Sequence, residues 1–75
     1  MTAALSPREI EILRHVASGE TSKEIAMHLG IRERTVNWHL ARVYEKLGAT
    51  SRAEAVAIAI ESGIVRRTQD TRTEP

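Results

Sequence analysis

The sequence contains no cysteine and no phenylalanine, and its aromatic side chains are one tryptophan and one tyrosine. Without cysteine, the chain has no disulfide bond, no thiolate zinc ligand and no cysteine nucleophile. No apolar run approaches the ~18 residues of a membrane-spanning helix, and no charged segment followed by an apolar one marks a secretory signal. We therefore expect a cytoplasmic location.

The chain is also short. Its 75 residues, 41% hydrophobic and 28% charged, suit one helical domain with little room for an enclosed active site. It lacks a phosphate-cradling glycine loop, a paired acid–base constellation and a nucleophile elbow. His15, His28 and His39 have no metal-ligand spacing, and the first two are predicted to lie on the surface. We expect no enzyme activity, no cofactor and no metal.

A net charge of +1 is too small to imply a nucleic-acid partner by itself, but the charge is unevenly distributed. Residues 21–50 carry five basic and three acidic residues, which gives +2. The segments on either side, residues 1–20 and 51–65, each have a charge of −1. The middle third is therefore the basic part of the chain.

Start and stop signals divide the chain into four helices and predict an all-α fold. Ser/Thr-x-x-Glu capping boxes stand at residues 6–9, 21–24 and 51–54. Helix ends are marked by Gly19, Gly30, Gly48 and Gly63. Residues 1–4 are read as an extension, residues 5–65 as the domain, and the polar residues 66–75 as a disordered tail.

The second and third helices form a predicted helix-turn-helix at residues 22–41. Ala26 is small where the helices must cross, and Gly30 permits a positive φ in the turn. Ile31 can fill the corner, and Val36 can anchor the third helix in the core. Arg32 stands at the helix 3 N-cap, where it cannot accept a backbone hydrogen bond as Ser or Thr would, so this end should be poorly capped.

The third helix has two distinct faces. Its inward stripe is predicted to consist of Val36, Leu40, Val43 and Leu47. The opposite side carries Arg34, Trp38, Ala41, Arg42 and Glu45, with Thr35 and Asn37 on its flanks. An outward tryptophan beside polar and basic groups indicates a contact surface, and the DNA major groove admits one such helix.

The predicted DNA contacts follow from this placement. Base contacts are assigned to Asn37, Trp38 and Ala41, with the amide of Asn37 suited to an adenine edge. Phosphate contacts are assigned to the start of helix 2 and the walls of helix 3, at Thr21, Ser22, Lys23, Arg34, Thr35, Arg42 and Lys46.

Four sequence segments carry a family resemblance: LSPRE at 5–9, KEIA at 23–26, TVNWHL at 35–40 and KLGA at 46–49. With them, the chain resembles the LuxR/GerE-type helix-turn-helix family of bacterial transcription regulators. The resemblance implies a four-helix domain of a regulator that binds double-stranded DNA through helix 3 and dimerises through helix 4. It supports the same base contacts and names RNA polymerase as a candidate partner.

Helix 4 appears in the sequence with two apolar faces. One consists of Ala53, Val56, Ala57 and Ile60, and the other of Ala55, Ile58 and Ala59, with Ser62 beyond them. A surface helix needs only one apolar face, so the second set is predicted to form a homodimer interface. A two-fold dimer would place two copies of helix 3 about 34 Å apart on an inverted repeat. Alternatively, helix 4 is simply an alanine-rich core helix.

Two other functions remain open. The chain could be a helical protein–protein interaction module, with helix 3 or helix 4 docking onto a partner protein, or a sigma-factor-like promoter-reading domain. Trp38 itself could instead pack against a neighbouring domain. Salt distinguishes DNA binding from apolar docking. When a protein contacts Z phosphates, the logarithm of its affinity falls with the logarithm of the salt concentration at a slope of about −0.9Z.

Overall fold

The computed structural model describes residues 4–65, which form four α-helices and contain no β-strand. The predicted tail at 66–75 and most of the predicted N-terminal extension lie outside the described residues. The helices are α1 Pro7–Ala17, α2 Ser22–Leu29, α3 Glu33–Leu47 and α4 Arg52–Glu61. The predicted all-α fold is confirmed. No helix in residues 4–65 combines the length and apolar character of a membrane span.

Reciprocal capping boxes start α1 and α2, as predicted. In α1, Ser6 Oγ accepts a hydrogen bond from the Glu9 backbone N–H at 3.2 Å, and Glu9 Oε1 accepts one from the Ser6 N–H at 2.9 Å. In α2, Thr21 and Glu24 repeat this exchange at 3.1 and 2.8 Å. Each box satisfies backbone donors that a helix start otherwise leaves unpaired.

The third predicted box, at the start of α4, forms only by half. Ser51 Oγ accepts from the Glu54 N–H at 3.1 Å. The Glu54 carboxylate, however, accepts from Thr50, through its backbone N–H at 2.7 Å and its hydroxyl at 2.8 Å. Thr50 offers two donors to Glu54 Oε1, whereas the Ser51 backbone would offer only one, so the Glu54 carboxylate binds Thr50 instead of completing the capping box. The N-cap of α3, Arg32, makes no side-chain capping bond, as predicted.

Two clusters of buried side chains make up the core. The first joins α1, α2 and α3 and contains Ile12, Val16, Ile25, Ala26, Val36 and Leu40. The second joins α1, α3 and α4 and contains Leu13, Val43, Ala59 and Val65. Tyr44 packs against both clusters, and Val65 folds back onto the core beyond α4. The inward stripe predicted for the third helix is therefore confirmed.

The predicted division of α4 into a core face and an interface face is only partly correct. Ala55 and Ala59 are 0% exposed, so their assignment to a dimer interface was wrong. Of the face predicted to be the core, Val56 and Ile60 pack against the core clusters, whereas Ala53 and Ala57 are exposed. The small side chains at Ala55 and Ala59 let α4 approach the rest of its own monomer closely, rather than a second copy. Ile58, half-buried, and Ser62, exposed, are the predicted interface residues that remain accessible.

Candidate nucleic-acid interface

The turn between α2 and α3 sets the angle between these two helices. Gly30 has φ 69°, in the left-handed region that glycine adopts without strain. The Ile31 N–H then donates to the Ala26 carbonyl at 3.1 Å, and the Ile31 side chain packs against the first core cluster. The predicted steric roles of Ala26, Gly30 and Ile31 are confirmed, and α2 and α3 form a helix-turn-helix.

One side of α3 faces the core and the other faces solvent. Val36 and Val43 are fully buried, whereas Trp38 is 58% exposed. Exposed residues on the outer side are Arg34, Asn37, Trp38, Ala41, Arg42 and Glu45. Thr35 is half-buried on the flank. The 15 residues of α3 extend for roughly 22 Å at about 1.5 Å per residue, so the domain presents a long, polar and mostly unobstructed helical face.

The exposed tryptophan is held by its neighbours on α3. The Arg42 guanidinium carbon lies 5.1 Å from the Trp38 ring centroid, within the range of a cation–π contact. His39 meets the same ring edge-on at 5.0 Å between centroids. His39 is half-buried, and its buried Nδ1 has no hydrogen-bond partner among residues 4–65. The indole is therefore both exposed and restricted in orientation.

Asn37 is tied to the first helix of the motif. The Ser22 hydroxyl donates to Asn37 Oδ1 at 2.7 Å, across 15 residues of sequence. This bond fixes the amide plane of Asn37 relative to the start of α2. It leaves the second lone pair of Oδ1 and both Nδ2 hydrogens available to a ligand.

The start of α2 contributes a second group of donors next to this face. Thr21 is occupied by its capping box, in which its hydroxyl and its backbone N–H both take part. The N–H groups of Ser22 and Lys23 belong to the first turn of α2, where no earlier carbonyl is available within the helix. Their orientation and the helix dipole favour an anion, and the exposed side chain of Lys23 adds a positive charge.

Lys46 differs from the other predicted phosphate contacts. Its ammonium donates to Glu9 Oε1 at 2.8 Å and to the Ala4 carbonyl at 3.3 Å. Glu9 is only 3% exposed, so this ion pair supports the fold. Lys46 therefore has a structural role in the fold, and its phosphate contact stays a prediction.

The charge of Glu9 is maintained by these contacts. Burial alone would raise the pKa of the Glu9 carboxyl. The hydrogen bonds from Lys46 and from the Ser6 backbone, with the charges of Lys46 and Arg42, outweigh burial and lower this pKa below its ordinary value of 4.5. The Arg42 Nε lies 3.5 Å from Glu9 Oε2, so Arg42 connects this ion pair to the exposed tryptophan.

The sequence did not predict two surface features. Met27 on α2 is a second exposed large apolar side chain. His15, Glu20 and His28 converge in space, although no metal-ligand spacing was expected for the histidines. Both histidines stand in the last turn of their helix, and this shared position was the available signal. The predicted surface location is confirmed for His28, which is exposed, whereas His15 is half-buried.

The chain is similar to a family of bacterial regulatory proteins and to individual transcription regulators. The model of "Bacterial regulatory proteins, luxR family" matches residues 3–59. The transcriptional regulatory protein YdfI of Bacillus subtilis is 49% identical over 61 residues, which are 81% of this chain and 29% of YdfI. The transcriptional activator AhyR of Aeromonas hydrophila is 50% identical over 62 residues, which are 83% of this chain and 24% of AhyR. The chain thus spans about a quarter of the curated relatives it matches.

Solved structures agree with these matches. The transcription factor GerE is 30% identical with a TM-score of 0.77, and the match covers 84% of this chain and 96% of GerE. VqmA of Vibrio cholerae, solved with ligand and DNA, is 28% identical with a TM-score of 0.79. That match covers 100% of this chain and 34% of VqmA.

Proposed function

The chain belongs to the luxR family of bacterial regulatory proteins and is a helix-turn-helix DNA-binding domain of that family, and on this premise we propose that it places α3 in the major groove of double-stranded DNA. The observation that carries this geometry is the exposed side of α3, where Trp38 and Asn37 stand out from a helix whose other side is buried. In a cell, such binding would take place in the cytoplasm. No catalytic activity is proposed.

Asn37, Trp38 and Ala41 are the proposed base contacts. The amide of Asn37 can accept from N6 and donate to N7 of adenine, and Ser22 holds it for that pairing. The indole of Trp38 can pack on a thymine methyl group. Ala41, one turn from Asn37 on the exposed face, is short enough to let the helix approach the bases.

The proposed phosphate contacts lie on both sides of this face. Ser22 and Lys23 at the start of α2 would hold one phosphate through helix-terminal N–H groups and the Lys23 charge, next to Thr21, whose hydroxyl and N–H remain in the capping box. Arg34, Thr35 and Arg42 would contact the backbone along α3. Only the Nε group of Arg42 is directed towards Glu9, so its other guanidinium N–H groups can donate to a phosphate.

Selection from a random duplex pool, followed by fluorescence anisotropy on the selected site, tests the proposal. Affinity should fall steeply with salt, and removing one phosphate contact should reduce the log–log slope by about 0.9. Arg34→Ala should show this reduction on every sequence. Arg8→Ala is the matched control, because Arg8 pairs with Glu11 on α1 and belongs to neither helix of the motif. Salt-independent binding, or no selected sequence, would support the alternative of a protein-interaction module.

Asn37→Ala separates sequence readout from general affinity. We expect it to cost about 1–3 kcal/mol at one base pair and to relax the preference there. Ser22→Ala should weaken the same preference less, because it removes the group that orients the Asn37 amide and leaves the amide itself. An unchanged base preference in Asn37→Ala would show that this residue does not read the sequence.

We also propose that the domain forms a two-fold dimer through the outer side of α4 and binds an inverted repeat. The supporting observations are the accessible Ile58 and the exposed Ala57 and Ser62. The family resemblance implies the same helix as the dimer interface. Ile58→Glu should lower the sedimentation coefficient to that of a monomer. Met27→Glu, the same kind of change on exposed α2, should leave the assembly intact. RNA polymerase remains a candidate partner on the DNA-bound state.

A further inference from the structure

Two imidazoles and one carboxylate meet where α1 packs against α2. His15 lies in the last turn of α1, Glu20 precedes α2, and His28 lies in the last turn of α2. The Nδ1 atom of His15 is 2.9 Å from Glu20 Oε1 and 3.0 Å from Oε2. The Nδ1 atom of His28 is 2.8 Å from the same Oε1. One carboxylate therefore holds both rings, which stack at 5.7 Å between centroids.

These three side chains have the composition and spacing of a metal ligand set. One ligand atom from each residue lies within 4.8 Å of the others. Around a tetrahedral Zn²⁺ with bonds of about 2.0–2.1 Å, ligand atoms stand about 3.3 Å apart. The three ligand atoms would have to move from their hydrogen-bonded positions, which lie within 4.8 Å of one another, to that spacing. Two nitrogen ligands and one oxygen ligand favour zinc-like transition metals over Ca²⁺ or Mg²⁺, which prefer oxygen.

We propose that His15, Glu20 and His28 form a binding site for one divalent transition-metal ion of the Zn²⁺ class. Each imidazole would bind the ion through Nδ1. The proton on Nδ1 would move through solvent to Nε2 of the same ring, so the number of protons on the ring would not change. The Glu20 carboxylate would give up its hydrogen bonds with the two imidazoles and bind the ion instead. Three protein ligands leave a fourth position for water.

The surroundings support a preformed site. The Arg52 guanidinium donates to the Glu20 backbone carbonyl at 2.7 Å, which fixes the main chain that carries the carboxylate. A surface cleft of about 160 Å³ beside the ligands is lined by Arg14, His15, Ser18 and Glu20. It provides room for the water ligand. His28 is exposed, so the ion can enter from solvent without unfolding.

Metal binding at this position would brace α2, the first helix of the helix-turn-helix, against α1. The ion would join the last turn of α1 to both ends of α2, since Glu20 precedes this helix and His28 lies in its last turn. A ligand that binds only the folded state stabilises it by mass action. The expected effect is therefore a higher unfolding temperature in the presence of the ion, whether or not DNA is bound.

The test uses the untagged chain after treatment with a chelator. Calorimetric titration with Zn²⁺ should give one ion per chain, and Co²⁺ should give the visible absorption of a tetrahedral centre. Glu20→Gln and His28→Gln should each lower affinity by at least about tenfold, because even the loss of an outer hydrogen-bond partner costs roughly 10–100-fold. His39→Gln is the matched control, since His39 lies outside the cluster and packs against Trp38.

Several results would overturn the site. They are no heat or absorption change up to about 1 mM metal, equal affinity in the cluster variants and the His39→Gln control, or no rise in unfolding temperature. Far-UV circular dichroism establishes that each variant is helical before titration. His28→Gln changes an exposed side chain, so it should fold even if the variants of less exposed residues do not. DNA affinity, measured separately, plays no part in this outcome.

Discussion

The two ends of α1 are held by carboxylates in different ways. At its start, Glu9 is 3% exposed and faces the ammonium of Lys46 and the guanidinium of Arg42. Beyond its end, the Glu20 side chain is 23% exposed and faces the imidazoles of His15 and His28. Both clusters join α1 to another helix, but the partners of Glu9 are an ammonium and a guanidinium group, whereas the partners of Glu20 are two imidazoles.

This difference gives the two clusters different roles: the Glu9 cluster stabilises the fold, whereas the Glu20 cluster can exchange its partners. A buried carboxylate needs partners that keep their charge, because an unpaired charge in the interior is costly. A partly exposed carboxylate can lose one partner to water at little cost. Imidazoles carry a nitrogen lone pair that ammonium and guanidinium groups lack. The Glu20 cluster can therefore give up its hydrogen bonds to a metal ion, whereas the Glu9 cluster cannot.

Lys46→Ala should have the largest effect on this comparison. It removes the main partner of the buried Glu9 carboxylate, and we expect a loss of roughly 2–3 kcal/mol in the free energy of unfolding. Urea denaturation measures this value. Lys23→Ala is the control, because Lys23 is exposed on α2. If Lys46→Ala instead reduced DNA affinity without changing stability, the predicted phosphate contact of Lys46 would be supported instead of its structural role.

The second prediction concerns pH. The pKa of Glu9 is lower in the folded state than the ordinary 4.5, so the unfolded state binds more protons as pH falls through this range. The stabilisation by Glu9 is therefore fully present above about pH 4.5–5 and decreases as pH falls towards the lowered pKa. The stability difference between the native chain and Glu9→Gln should shrink over that acidic interval. A difference that stayed constant from pH 6 to pH 3 would contradict the cause given for the shift.

Arg42→Ala should change stability less, by up to about 1 kcal/mol, because the Arg42 side chain is 47% exposed and its contact with Glu9 is 3.5 Å long. The same variant should reduce the salt dependence of DNA binding by about 0.9 in slope. Denaturation and anisotropy on one preparation measure both effects. A stability loss as large as that of Lys46→Ala would show that Arg42 stabilises the fold through Glu9 as Lys46 does, and would argue against its place in the DNA surface.

Glu20→Gln without metal should have the smallest effect on stability. Glutamine can still accept from one histidine, and the site is open to solvent, so the urea midpoint should stay close to that of the native chain. Added Zn²⁺ should then raise the native midpoint and leave the variant where it was. A large loss in metal-free Glu20→Gln would mean that the two clusters do not differ in their role.

Local sequence signals predicted most of the fold. Capping residues, glycines and the inward stripe of α3 act within a few residues, which is why helix limits and the exposed Trp38 were predicted correctly. The face of α4 was not, because Ala55 and Ala59 are small and apolar residues surround them on every side of this helix. For such a helix, only tertiary packing selects the buried side.

The ionic partners could not be predicted from spacing. Lys46 meets Glu9 across 37 residues, and His28 in α2 meets Glu20, which lies between α1 and α2, across 8 residues. Such pairs depend on helix crossing angles, which no short motif encodes. The DNA contacts themselves remain predictions, although the sequence correctly identified the exposed face from which they would be made.

Glu9 performs two tasks with one carboxylate, since it caps the first turn of α1 and receives Lys46 from the last turn of α3. Its removal would open two segments that are distant along the chain at the same time. In native-state amide exchange, the start of α1 and the end of α3 should therefore behave as a single cooperative unit. Fraying at the start of α1 or at the end of α3 would therefore require tertiary contacts to break, and not only local helix hydrogen bonds.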